Sequence, residues 1–214
     1  MKIFSLNVIL LLATCLFIFS SCKDDDNEDP TPEPLTVETA SNIIADPIQI
    51  DPTTGMPMGT TGNFTLFSLR ENKIIANTDS ASTKWDIGFR GSTIIVNGGA
   101  IRTGQGGAYI FDGLFDELQE IPESQTFNQD NSPTDLAITS GSGKGWYNYD
   151  PTTHVISPIA GKILVIRTAD EKYAKVEIVS YYKNAPADPT TAPLEDSRHY
   201  TLRFVVQTDG SKKF

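Results

Sequence analysis

Apolar residues beyond position 60 fall in short runs that end at turn-forming residues, which is the pattern of β-strands. In the clearest run, Trp85, Ile87 and Phe89 alternate with polar neighbours such as Asp86, so we expect one face in the core and the other in solvent. The pattern predicts strands at 64–69, 84–90, 93–96 and 108–111.

The second half of the chain continues in the same way. Two β-rich runs at 162–168 and 173–182 flank a polar connection at 169–172, which predicts a hairpin. A loop rich in proline follows, and alternation at 199–206 then predicts a last strand that closes the domain.

Two stretches depart from the strand pattern. Leu114, Leu118 and Ile121 are at helical spacing, which predicts a short helix, whereas 123–145 is polar and irregular. We therefore expect an all-β fold, an antiparallel sandwich or partly closed barrel with at most one or two short helices.

The front of the chain has the composition of a secretory leader, with Lys2 before an apolar run that ends at Ser21. Residues 19–22 resemble a lipobox, which implies that Cys22 becomes the first residue of the mature chain and takes acyl chains. The alternative is a transmembrane anchor, because a run of about 18 apolar residues is near the lower limit for a span. Polar Asn7 and Thr14 dilute the run and favour the lipoprotein interpretation.

The acidic cluster Lys23–Asp26 comes directly after Cys22. It resembles the signal with which some Gram-negative bacteria send lipoproteins to the cell surface, and its alternative is a solvated spacer. Three prolines at 30, 32 and 34 favour extended chain. The predicted organisation is a signal peptide at 1–21, a lipidated acidic Pro-rich tether at 22–42, and one β domain at 43–214.

Charge and cysteine content narrow the functional classes. Lys2 is the leader's only charged residue, so its removal takes the formal net charge from −10 to about −11. Such a surface repels nucleic acid, and we expect contact with a membrane only through the lipid anchor. Cys15 lies in the leader and Cys22 is the lipid site, which leaves the folded part without a disulfide or thiolate metal site.

No catalytic motif stands out, so an enzyme is disfavoured. The loop Gly141–Gly145 lacks the Ser or Thr that follows the lysine of a phosphate-binding loop, and Gly104–Gly107 lacks the spacing of a dinucleotide fingerprint. We interpret the first as a flexible turn and the second as a tight one.

Four side chains are candidate metal ligands: His154, His199, Met56 and Met58. His199 shares a strand face with polar residues, and we expect it at the surface. The two methionines lie in a Gly and Pro loop, where thioethers pack or hold a haem iron. His154 follows Trp146 and other aromatic residues, which suits either a flat apolar ligand or a packed turn.

Several segments from about Thr60 onward, in the same order, resemble the HmuY family of haem-binding surface lipoproteins. They are Lys84–Gly99 (KWDIGFRGSTIIVNGG), Gly104–Ala108, Gly145–Trp146, Val165–Asp170 and Tyr173–Val176. The resemblance implies a mostly β protein of the outer membrane that captures haem outside the cell, through two His or Met ligands on loops, and passes it to a TonB-dependent receptor.

The expected ligand positions differ in this chain. The stretch 119–144 holds neither His nor Met, and Asp150 and Pro151 occupy the second expected position. The resemblance therefore leaves His154 as the best axial candidate, with Met58, Met56 or His199 as a second. The alternative is a family member without haem that acts as a surface binding or scaffold lipoprotein. Asp79–Ala81 also resembles the O-glycosylation acceptor of some of these bacteria, which would place a glycan on Ser80.

Overall fold

A computed structural model describes residues 35–214. The predicted signal peptide, the lipid site at Cys22 and the acidic cluster lie outside the described residues. Strands paired in antiparallel sheets dominate residues 35–214, and three short 3₁₀ turns accompany them. The all-β prediction is confirmed.

Thirteen strands are present in the described part of the chain. They are β1 (Glu38–Ile44), β2 (Gln49–Ile50), β3 (Pro57–Gly59), β4 (Thr65–Ser68), β5 (Lys73–Ile75), β6 (Ile87–Arg90), β7 (Thr93–Val96), β8 (Gly107–Asp112), β9 (Tyr147–Asp150), β10 (Val155–Pro158), β11 (Lys162–Arg167), β12 (Tyr173–Tyr182) and β13 (Ser197–Gln207). The 3₁₀ turns span Asn77–Asp79, Pro189–Thr191 and Leu194–Asp196.

The strands form two main sheets and two small hairpins. One sheet has the order β1-β13-β12-β11-β8 and the other β5-β4-β6-β7, while β2 pairs with β3 and β9 with β10. Neither main sheet closes on itself. Of the two predicted alternatives, the structure is therefore the sandwich and not the partly closed barrel. The hairpin predicted at 162–182 is confirmed, since β11 and β12 pair with Leu164 opposite Val176.

The core lies between the inner faces of the two main sheets. Phe67 of β4 meets Phe204 of β13 edge to face at 6.4 Å, and Phe89 of β6 lies 4.6 Å from Tyr200 of β13, both measured between ring centroids. All four rings are buried. Each aromatic pair contributes about 0.5–1.5 kcal/mol beyond the area that it buries, so these contacts fix how the sheets pack.

The folded part begins earlier than position 43. β1 pairs with β13, with Ala40 opposite Leu202 and Ile43 opposite Tyr200. Only Ala40 and Ile43 of this edge strand are buried, and the register shifts between them, so the sequence shows no clear alternation. The predicted boundary at 42/43 is therefore too late, because residues from Glu38 already belong to the five-stranded sheet.

The helix predicted around Leu114, Leu118 and Ile121 is wrong. Phe115, Leu118 and Ile121 are buried, but Leu114 is 61% exposed, and the segment has a single turn, at 115–117, in place of a helix. The buried amine of Lys175 donates to the carbonyl oxygens of Phe115 and Leu118, at 3.0 and 2.8 Å. Since a side chain satisfies these carbonyls, the segment can bury its apolar residues without helical hydrogen bonds.

Asp86 also differs from the prediction. It lies on the strand face that we expected in solvent, but its side chain is buried. One carboxylate oxygen accepts the Leu69 N–H at 2.9 Å, and the other accepts the Ala169 N–H at 3.2 Å. Arg70 lies 3.4 Å from the carboxylate and also pairs with Asp170 at 2.7 Å. Burial raises the pKa of Asp86, and the ion pair and backbone donors oppose that shift.

We expect Asp86→Ala to lower the free energy of unfolding by about 3 kcal/mol, because it leaves two buried backbone N–H groups without their acceptor and removes the buried partner of Arg70. Asp170→Ala is the matched control, since it removes the more exposed partner of the same arginine and is expected to cost at most about 1 kcal/mol. Urea unfolding of the two variants measures the difference. Equal losses of unfolding free energy would show that the buried carboxylate stabilises the fold no more than the exposed one.

Candidate functional site

The hairpin of β9 and β10 presents His154 at its tip. Asp150 and Val155 are the last paired residues, and between them the Asp150 carboxylate accepts the Thr152 N–H at 2.8 Å and the Thr153 hydroxyl at 3.0 Å. These hydrogen bonds lower the pKa of Asp150. His154 has a positive φ of 59°, which turns the chain back into β10. The turn therefore holds the backbone of His154 in one conformation.

The ring of His154 is oriented from within the same hairpin. Its Nδ1 lies 2.7 Å from the Tyr149 hydroxyl, and within residues 35–214 its Nε2 makes no hydrogen bond. When Nδ1 carries the proton and donates it to the Tyr149 oxygen, Nε2 has a free lone pair, which is the arrangement of most metal-binding histidines. The imidazole is exposed, so a ligand from solvent can reach it.

A cavity of about 340 Å³ lies beside this hairpin. His154, Val155 and Ile156 line it from the hairpin, Tyr181 and Tyr182 from β12, and the segment 189–194 from the loop before β13. Its lining is mostly apolar and aromatic. Arg198 also lines the cavity and donates to the Asp46 carbonyl oxygen at 2.8 Å, which fixes a positive charge at the cavity wall.

Aromatic side chains attach the hairpin to both sheets. Trp146 donates to the Ser92 carbonyl oxygen at 3.0 Å, and its ring lies 5.2 Å from Tyr200 and 5.8 Å from Tyr181 between centroids. The Tyr182 hydroxyl accepts the Ile156 N–H at 3.0 Å. Burial raises the pKa values of Tyr181 and Tyr200, so both phenols stay neutral. The tyrosine side of the cavity is therefore an aromatic surface without charge.

The other predicted ligands lie elsewhere. His199 is buried in β13 with Nδ1 2.8 Å from the Ser197 oxygen, so its predicted surface position is wrong. Met56 and Met58 are exposed by 65% and 60% on the hairpin of β2 and β3. None of the three lines the cavity beside His154. Among residues 35–214 there is also no group of three His, Cys, Asp or Glu side chains that could hold a metal ion.

Two further predicted features have clear positions. Ser80 is exposed after the 3₁₀ turn Asn77–Asp79, and its carbonyl oxygen accepts the Trp85 indole N–H at 3.0 Å. The tight turn predicted at Gly104–Gly107 is wrong: Gln105 pairs with Gly98 and Gly107 begins β8, whereas the turn of this loop lies at 100–101. A Cβ atom on Gly98 would lie 1.9 Å from the Gly106 oxygen, so the two backbones approach as closely as only glycine allows.

Tyr149 and Arg198 belong to the candidate site and were not predicted from the sequence. Tyr149 precedes His154 by five residues, and only the hairpin register brings the two side chains together. Arg198 lies in a strand that the sequence places at the end of the fold, with no local signal for the cavity. Cross-strand pairing around Asp150 and Pro151 could have suggested the first contact, and nothing local could have suggested the second.

Residues 60–192, more than half of the chain, match the family model described as HmuY protein. The chain belongs to the HmuY family. It is a family of binding proteins, which agrees with the lack of a catalytic motif. A search of curated proteins found no match.

Solved structures with low sequence identity were also found. An apo HmuY analog of Tannerella forsythia is 12% identical, with 82% of this chain and 96% of that one covered and a TM-score of 0.45. An HmuY-like protein of Bacteroides vulgatus, described as haem-binding, is 14% identical (75% and 97% covered, TM-score 0.43). A Bacteroides fragilis protein assigned as a lipoprotein is 17% identical (66% and 81% covered, TM-score 0.45). Within residues 35–214, no helix has the length and hydropathy to cross a bilayer.

We expect Tyr182→Phe to detach the His154 hairpin partially, because the substitution leaves the Ile156 N–H without its acceptor. The expected loss of unfolding free energy is about 1–2 kcal/mol, with faster hydrogen exchange at the Ile156 amide. Tyr149→Phe is the matched control, since its hydroxyl is bonded only to an exposed imidazole. Unchanged exchange at Ile156 in Tyr182→Phe would contradict the role of this contact.

Proposed function

We propose that this HmuY-family protein binds haem in the cavity beside His154, at the outer surface of the cell, and delivers it to a TonB-dependent outer-membrane receptor. The observation that carries the proposal is the His154 imidazole, held by Tyr149 at Nδ1 and open at Nε2, beside an apolar aromatic cavity. The family assignment supports the choice of ligand.

The lining of this cavity suits the parts of a haem molecule. The apolar macrocycle would pack against Tyr181 and Tyr182, and the guanidinium of Arg198 would face a propionate carboxylate. Nε2 of His154 would bind the iron, as a single imidazole does in five-coordinate haem proteins. The donor set of the cavity therefore fits haem with one axial ligand from the protein.

A single ligand at the tip of an exposed hairpin also suits delivery. The receptor would have to break one iron–nitrogen bond to remove the haem, and the exposed side of the hairpin leaves room for a receptor loop. Because differences in affinity between related sites lie mostly in the dissociation rate, one ligand favours fast release. The acidic tether and the lipid at Cys22 would hold the domain near the membrane that carries the receptor.

The haem site is tested by titrating haemin into the mature chain from position 22, with Cys22→Ser so that no lipid is attached. We expect a saturable one-to-one Soret band. His154→Ala should weaken binding at least tenfold, which is about 1.4 kcal/mol. The double variant Met56→Leu, Met58→Leu is the control, because both methionines lie away from the cavity, and it should titrate like the parent protein.

Other results of the same titration would change the assignment. An unchanged titration of His154→Ala would remove this residue from the site, and weaker binding by the methionine variant would move the site to the β2–β3 hairpin. A spectrum without saturation would reject haem as the ligand.

A second candidate function is a surface binding or scaffold lipoprotein without haem. One observation favours it: the stretch 119–144 contains no His or Met, and the cavity lining contains no second donor of that kind. Such a protein would keep the fold and lose the metal chemistry. The haemin titration separates the two candidates.

The membrane attachment has its own test. We expect the protein expressed in a Gram-negative host to incorporate radiolabelled palmitate and to fractionate with the outer membrane. Cys22→Ser should abolish the label, because no other cysteine follows the leader. Cys15→Ser is the matched control, since this residue would be removed with the leader and the label should stay. Retention of the label in Cys22→Ser would contradict the lipobox.

A further inference from the structure

A second cavity, of about 540 Å³, lies on the four-stranded sheet. Its floor is a row across three strands, in which Leu66 of β4 and Ile95 of β7 flank Gly88 of β6. Leu66 and Ile95 belong to an apolar cluster with Trp85 that is separate from the core between the sheets. Because side chains alternate along a strand, this row lies on the face turned away from that core.

Gly88 is what allows the floor to be flat. A Cβ atom at this position would come within 2.9 Å of the Ile95 side chain and 3.2 Å of Leu66. The two apolar side chains therefore lean over the glycine and form a continuous surface. Phe64 closes one end of the cavity, and its ring is covered by the Arg90 guanidinium at 4.3 Å.

Two loops form the walls. The first contains Ser80 and Ala81 and is held by the hydrogen bond from the Trp85 indole to the Ser80 carbonyl oxygen. The second contains Ile101 and Arg102, and the Ile101 side chain is 38% exposed. The cavity is thus a trough with one open side, lined by apolar side chains and by polar ones such as Asn77 and Thr103.

Arg102 is the single charged residue among the described residues that line this cavity. Its Nε lies 3.5 Å from Asp130 and makes no hydrogen bond within residues 35–214, and its Nη1 reaches the Ile101 oxygen only at 3.4 Å. The buried Asp130 carboxylate is the ion-pair partner of Arg102, and it also accepts the N–H groups of Val96 and Ala137, at 3.2 and 3.0 Å. Beside this ion pair, the terminal nitrogens of the guanidinium keep donors for a second acceptor at the cavity.

We propose that this cavity binds an amphipathic carboxylate, with its apolar body against Phe64 and Ile101 and its carboxylate on the Arg102 guanidinium. The planar fork of an arginine matches a carboxylate with two parallel hydrogen bonds. The volume falls in the range of small-molecule sites, and Asp130, the acidic residue that lies next to Arg102, is buried and paired with that arginine. The proposal does not depend on haem binding at His154.

The test uses the fluorescent probe 11-(dansylamino)undecanoic acid with the mature chain carrying Cys22→Ser. We expect saturable enhancement of dansyl fluorescence, and at least tenfold weaker binding by Arg102→Gln. Arg167→Gln is the matched control, because this arginine lies over Phe127 and outside the cavity, and it should bind like the parent. The methyl ester of the probe should bind the parent protein as weakly as the acid binds Arg102→Gln.

Two more variants change the cavity wall and keep Arg102, so that misfolding of Arg102→Gln alone cannot explain a loss of binding. Ala81→Trp places an indole at the cavity wall, and Ile101→Asp places a negative charge there on a side chain that is already partly exposed. Both should abolish binding of the probe. Equal binding by Arg102→Gln and Arg167→Gln, or equal affinity for acid and ester, would overturn the proposal, as would unchanged binding by both cavity variants.

Competition in the His154→Ala background identifies the type of carboxylate. Displacement of the probe by dodecanoate alone would assign the cavity to aliphatic acids. Displacement by haemin would assign it to porphyrin carboxylates and would place a haem site here. Either result supports a carboxylate site, whereas displacement by dodecanol as readily as by dodecanoate would reject it.

Discussion

The buried carboxylate of Asp86 is the constraint on which the arrangement of the two sheets depends. It accepts one N–H from Leu69, at the end of β4, and one from Ala169, in the turn between β11 and β12, so it joins the two sheets at one point. A carboxylate in this position is costly unless it is paired and hydrogen-bonded, and Arg70 and the two backbone donors meet that requirement. Because the folded part has no cysteine, polar contacts of this kind do the work that disulfides do in many exported proteins.

The same principle organises the loops next to the four-stranded sheet. Asn97 accepts the Gly104 N–H and donates to the Ser82 and Trp85 carbonyl oxygens, and Asp130 holds the ends of two further segments. These buried polar side chains replace the regular hydrogen bonds that long loops lack. They also explain why segments without strands can line cavities, since buried side chains fix the backbone there.

Alternation and turn chemistry were enough to predict most strands and the hairpin of β11 and β12, because the apolar sets there are long and continuous. The pattern failed where a polar residue is buried for its hydrogen bonds, as with Asp86 and His199, since sequence periodicity assumes that polar means exposed. It also failed at β1, whose buried positions are separated by a register shift, and at Leu118, whose carbonyl is satisfied by a lysine 57 residues away. Of the candidate site, His154 was found from its aromatic surroundings, but Tyr149 and Arg198 enter only through the pairing of distant strands.

Each main sheet has one of the two cavities beside it, and the cavities differ in the side chains that line them. Beside the five-stranded sheet, a hairpin tip offers one imidazole whose second nitrogen is fixed by a tyrosine, and the cavity wall is aromatic and uncharged apart from Arg198. On the four-stranded sheet, a trough with apolar and polar lining residues contains an arginine that is paired with the buried Asp130, and among the described residues it offers no metal ligand of the His, Cys or Met type. In a chain with a net charge of −10, each cavity thus has one arginine as its charged lining residue. Since arginine and carboxylate match in geometry as well as in charge, the ligands proposed for the two cavities share an apolar body and an acid, and a bond to a metal is proposed only for the first cavity.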